Sequence, residues 1–236
     1  MRARFTVDEI AAAGLRIVDT DGLSALSMRS LAQALGTGAM TAYNYVSDKE
    51  GLEELVVAAV FAEMRLPAPT EDWVHDAHAV ASEMWRCMRA HPAAVPLVLT
   101  RRTVSPTGFA AAEALIAALE RGSLPPGDLV AAFHAVLGFV VGAGQSELAG
   151  QFTRARDSAE AASHIGLVAG ERYPRIEALS KVAMRIPVEK DFDRGLRMLL
   201  DGVAGRTAQP RRSRTKALQN ASTPKPTNRA TERAGK

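Results

Sequence analysis

The stretch that most restricts this chain is residues 24–52, SALSMRSLAQALGTGAMTAYNYVSDKEGL. Ser27 offers its hydroxyl to the free N–H groups of a helix predicted from about Met28 to Leu35. Leu31, Ala32 and Leu35 recur at helical spacing and form its buried face. Gly36 suits the left-handed position that ends a helix. A second helix begins near Gly38, where Ala42 and Val46 turn inward and leave Met40, Thr41, Asn44 and Tyr45 largely outward. Ser47 or Asp48 then caps a third helix over 49–65. A helix, a glycine turn and a short second helix with small and polar residues outside form the pattern of a helix-turn-helix.

The rest of the chain is predicted to be all-α, because Ala and Leu dominate and β-branched runs are short. Thr6, with Glu9 three residues on, writes a capping box for a helix over 7–20, whose stripe is Ile10, Ala13, Gly14, Ile17 and Val18. Pro67 and Pro69 break the chain after the 49–65 helix. We therefore expect an N-terminal unit over 1–66, a second helical domain over 67–206 and a tail over 207–236, although a four-helix N-terminal unit that flows into the second domain fits the pattern equally well.

In the second domain, helices are predicted over 72–90, 106–121, 127–149, 176–184 and 188–203, with a shorter Pro-interrupted one in HPAAVPLVLT. Phe109, Ala112, Leu115, Ile116 and Leu119 are the expected inward positions of the second of these. The 127–149 helix is apolar almost all round between Leu129 and Val141, which implies a core on one face and a second subunit on the other. Residues 150–171 read as a polar connection.

LSMRSLAQALG followed by TAYNYVSDKEGL resembles the DNA-binding domain of the tetracycline-repressor (TetR) family of transcriptional regulators. The resemblance covers roughly the first 60 residues and rests on the two-helix core, the Tyr43/Tyr45 pair and the Lys49–Leu52 helix start together. It implies that Arg29 reaches a guanine edge and that Thr41, Tyr43 and Lys49 clamp phosphates. Ala39, Met40, Asn44 and Tyr45 are the outward set expected to face bases, with Asn44 suited to adenine and Met40 or Tyr45 to a thymine methyl; Gly38 permits close approach. It further implies a homodimer on a pseudo-palindromic double-stranded operator, released by a small-molecule effector.

Charge argues the other way. Residues 207–236 hold eight Lys/Arg and one acid, a net +7, so in a chain of +3 the remaining 206 residues carry −4. The tail is too polar to bury a core and is expected to be disordered. Bulk charge thus gives no support to nucleic-acid binding by the folded part, and a helical adaptor that binds no DNA is the alternative.

Other functions find little footing. There is no Gly-rich phosphate loop and no G-x-S-x-G, so an enzyme is not expected. Cys87 is the single cysteine and reads as a buried thiol; His75 and His78 lie three apart with no third ligand at fixed spacing, so neither a metal nor another cofactor is expected. The N-terminus lacks the apolar segment of a signal peptide, and no run of 18 apolar residues occurs, which implies a cytoplasmic protein without a membrane.

The second half resembles the tetracycline-binding subgroup more faintly, through HPAAVPLVL, TRRTVSPTGF and the long apolar helix. Met84, Trp85, Met88, His134 and Gln145 are then the groups available to line an effector pocket. Pro96 stands near where that subgroup carries a metal-chelating histidine, so an amphipathic molecule other than magnesium–tetracycline is expected.

Overall fold

Thr6 opens the first helix with both halves of its capping box: its hydroxyl accepts the Glu9 N–H, and the Glu9 carboxylate accepts the Thr6 N–H at 2.7 Å. The molecule is seen in a computed structural model that describes residues 5–100, 106–152 and 158–207. Within these it is all-α: α1 (Val7–Asp21), α2 (Met28–Ala34), α3 (Ala39–Tyr43), α4 (Lys49–Ala62), α5 (Trp73–Ala90), α6 (Val95–Thr100), α7 (Pro106–Glu120), α8 (Pro126–Phe152), α9 (Ser158–Ala169), α10 (Pro174–Ala183) and α11 (Val188–Thr207).

The first four helices share one apolar core. Ile10, Val18, Leu26, Leu31, Leu52, Val56, Val57 and Val60 are among its fully buried side chains. Gly14 lets α1 and α4 meet closely, since a Cβ there would stand 2.9 Å from Val56 Cγ2. This core does not stop at the proline break. Cys87, Ala94 and Leu97 belong to it, so the 3₁₀ turn Pro92–Ala94 is keyed into the N-terminal cluster.

A second core joins α5, α7, α8 and α11. Trp85 stacks on Phe192 with ring centroids 4.0 Å apart and planes 2° apart, while the Arg89 guanidinium covers the ring at 4.7 Å. Gly195 gives Phe139 its seat: a Cβ there would lie 2.7 Å from Phe139 Cζ. The connector before α5 is clasped to α7. Buried Asp76 accepts the Thr70 N–H and hydroxyl, both at 2.8 Å, and the Arg121 guanidinium bonds both Asp76 and the Thr70 carbonyl.

Two expectations change here, and the one-faced burial of α8 is the pattern expected of it. Phe109 is exposed, not inward; Ala111, Leu115, Ala118 and Leu119 make the buried stripe of α7, which sits one small residue round from the one predicted. Within 150–171 the described residues 150–152 and 158–169 are helical, because α9 packs along α10, with Gly166 so close to Ser180 that a Cβ would clash with its hydroxyl. The long helix α8 is buried on one face only: Ala132, Val136 and Val140 enter the core, whereas Val130, Ala131, Ala135 and Gly138 are exposed. The tail from residue 208 onward lies outside the described residues.

Candidate nucleic-acid interface

The turn between α2 and α3 is fixed by backbone chemistry. Ser27 caps α2, accepting the Ser30 N–H at 3.1 Å, and Ser30 Oγ returns the bond by accepting the Ser27 N–H at 3.0 Å. At the other end Gly36 has φ +61°, and two crossed bonds close the helix: Thr37 N–H to the Ala32 carbonyl at 2.9 Å and Gly36 N–H to the Gln33 carbonyl at 3.1 Å. A side chain at that φ would be strained, so Gly36 sets the angle at which α3 leaves.

Ala42 and Val46 are buried and hold α3 down. By helical periodicity Ala39, Met40, Tyr43 and Asn44 then share one face, and all four are exposed, with Met40 80 % accessible. Thr41 is half-buried at the edge of that face, and Gly38 is open, since a Cβ placed there would have nothing within 4 Å. Lys49, at the start of α4, is exposed and leans toward Glu53 at 3.8 Å. Arg29 is exposed on the first turn of α2.

Tyr45 departs from the predicted outward set. Its hydroxyl accepts the Phe5 N–H at 3.1 Å, its ring meets Phe5 edge-on with centroids 6.0 Å apart, and it packs on the N-terminal core. It pins Phe5 to the end of α3. No local pattern signals this, because the partner lies 40 residues away.

The predicted pocket residues separate into two groups. Met84, Trp85 and Met88 are buried side by side on α5, and the Trp85 Nε1–H has no hydrogen-bond acceptor among the described residues. His134 and Gln145 are exposed on α8 in the single chain and do not join them. A cleft of about 200 Å³ lies elsewhere, at the start of α5 against α11, lined by Asp72, His75, His78, Arg197 and Asp201.

Comparison with known proteins now decides the family. The family profile described as "Tetracyclin repressor-like, C-terminal domain" matches residues 66–207. The chain belongs to the tetracycline-repressor family. An HTH-type transcriptional regulator of Saccharopolyspora erythraea is 33% identical over 205 residues, covering 84% of each chain. The HTH-type transcriptional repressor DrrR1 of Streptomyces coeruleorubidus is 31% identical over 216 residues, covering 87% of this chain and 80% of that one. Apo ActR of Streptomyces coelicolor has the same fold, with a TM-score of 0.72 and 25% identity over 88% of this chain and 100% of its own. The TetR-family chain is accordingly a ligand-responsive, DNA-binding transcriptional regulator and not an enzyme. Proteins of the family bind DNA and small molecules as homodimers.

Proposed function

We propose that this TetR-family protein is a repressor that binds a pseudo-palindromic operator as a homodimer and leaves it when a small molecule enters its C-terminal bundle. The observation that carries the reading is the exposed α3 face of Ala39, Met40, Tyr43 and Asn44, presented by a turn whose geometry Gly36 fixes. Residues 1–66 form the DNA reader and 67–206 the effector-binding and dimerisation domain. Arg29 contacts a guanine edge, Thr41, Tyr43 and Lys49 hold phosphates, and the α3 face touches bases at its Gly38 end. Two readers enter successive major grooves about one helical turn apart.

The second copy covers the exposed face of α8 and its neighbour α11, where Val130 and Met198 stand more than half exposed in the single chain. Met84, Trp85 and Met88 mark the effector site, with the Trp85 indole N–H as its spare donor. The S. coelicolor relative ActR has been crystallised in complex with actinorhodin, a precedent for an organic effector here. Working on DNA, the protein acts in the cytoplasm.

Selection of duplexes from a random pool by the purified protein, with Arg29→Ala run in parallel, tests this. The expected result is an enriched inverted repeat whose preference relaxes at one position per half-site in the variant, by the roughly 1–3 kcal/mol of a bidentate arginine–guanine contact. An Arg29→Ala profile identical to wild type removes Arg29 from the interface. No enrichment at low salt removes the DNA-reading function altogether.

A further inference from the structure

The N-terminal cluster and the C-terminal bundle meet around one imidazole. His91 ends α5 and is buried, 9% exposed. Its Nδ1 lies 2.8 Å from Asp19 Oδ2 on the last turn of α1, and its Nε2 lies 3.0 Å from Glu63 Oε2 at the C-terminal cap of α4. A neutral imidazole has one N–H and one lone pair, so it can donate to only one carboxylate and must turn a lone pair toward the other. Only the imidazolium donates on both sides. The arrangement therefore holds together with a proton on each nitrogen.

The surrounding charges agree. Burial alone disfavours the cation at His91, but the Glu63 and Asp19 carboxylates override it and hold the imidazolium above its ordinary value of 6.5. On α5, Arg86 is occupied elsewhere: it pairs with Glu83 at 2.7 Å and donates to the Glu63 carbonyl at 3.1 Å. Glu83 also accepts the Arg65 N–H at 2.6 Å, and burial pushes the neighbouring Cys87 thiol up to about 11, so it stays neutral. The turn Pro92–Ala94 and the helix α6 bring no titratable side chain.

We infer that protonated His91 is the positioning residue that locks the helix-turn-helix unit to the C-terminal bundle, so that a proton acts at this joint as a second effector of DNA binding. This rests on the DNA-reading function proposed above. Asp19 and Glu63 sit on the two helices that frame the reader, and His91 begins the segment keyed into its core. Losing the proton frees one carboxylate and with it one of the two bonds by which His91 holds the reader. Because the docked form raises the affinity of His91 for its proton, the restraint is complete below the ordinary imidazole value and is lost as pH rises through the docked one. A reader held at one angle loses less freedom on binding, so duplex affinity falls as pH rises.

The test uses full-length protein, the duplex enriched in the selection, and histidine-labelled protein for NMR titration. One histidine resonance, absent in His91→Gln, should titrate above the ordinary value with both nitrogens protonated in acid. Duplex affinity of the wild type should fall about fivefold or more between pH 6 and pH 8.5, a coupling of ordinary allosteric size, and the fall should be absent in His91→Gln. The double variant Asp19→Asn/Glu63→Gln keeps the imidazole, and should lower its titration and flatten the same profile; it serves if His91→Gln does not fold. Titration of His91 at or below the ordinary value overturns the inference. So does a wild-type pH profile shared by the variants, which would make the joint a structural ion pair only. Absence of duplex binding at every pH overturns the DNA-reading function and this coupling with it, whereas binding with a flat profile overturns the coupling alone.

Discussion

At the scale of single residues, nearby side chains in the family's DNA-reading motif do different work. Met40 is 80 % exposed on α3, whereas Tyr45 receives the Phe5 N–H and packs inward. A half-buried hydrogen bond of this kind contributes about 1 kcal/mol. Tyr45→Phe should therefore lower stability in urea or thermal unfolding by about that amount and leave base preference in the duplex selection unchanged. A changed base preference in Tyr45→Phe would return the phenol to the DNA face. The distinction was out of reach of the sequence, which shows two tyrosines at helical positions but not that α3 ends at Tyr43. Once the helix stops, the outward phase of Tyr45 no longer follows from period 3.6.

At the scale of elements, what was legible is what short-range chemistry writes. Thr6 and Ser27 cap helices where their spacing predicts, Asp48 is the member of the Ser47/Asp48 pair that caps α4, and Gly36 closes α2. What was not legible depends on partners far along the chain. The 150–171 stretch lacks a helical signal of its own and forms α9 by packing on α10. His91 reads as a helix end beside a proline, yet its two carboxylates come from 72 and 28 residues away. Likewise, His134 and Gln145 have the chemistry of pocket groups, but the phase of α8 puts them on its exposed side.

The clasp between the connector, α5 and α7 belongs to the same scale and has a pH signature. The hydrogen bond from Arg121, ahead of those from Thr70, holds the Asp76 carboxyl down to about 2 from its ordinary 3.8. A group whose folded value is depressed stabilises the fold above its unfolded value, and that contribution is lost as pH falls toward the folded one. Asp76→Asn should thus lower the melting temperature at neutral pH, with the gap to wild type unchanged down to about pH 4 and closing toward about pH 2. Calorimetry across that range checks it, and a gap that does not narrow would assign the loss to packing instead of charge.

At the scale of the whole molecule, the single chain leaves its longest apolar helix half uncovered. Pro126–Ser146 is apolar enough by composition to cross a membrane, but Ala132, Val136 and Val140 on it belong to a packed core. Its other face offers Val130, Ala131, Ala135 and Gly138, and nothing lies within 4 Å of where a Gly138 Cβ would stand. A side chain at Gly138 therefore starts into open space on its own chain, while it would meet a second copy packed against that face. Gly138→Arg should leave helicity and the Trp85–Phe192 stack intact, yet convert the protein to monomer in sedimentation. Because two linked readers bind a two-part site far more tightly than one, the same variant should lose affinity for an inverted repeat by on the order of a hundredfold while a single half-site is bound as weakly as by wild type. A Gly138→Arg protein that remains dimeric would move the subunit contact off this face, and would require some other cover for the apolar side of α8.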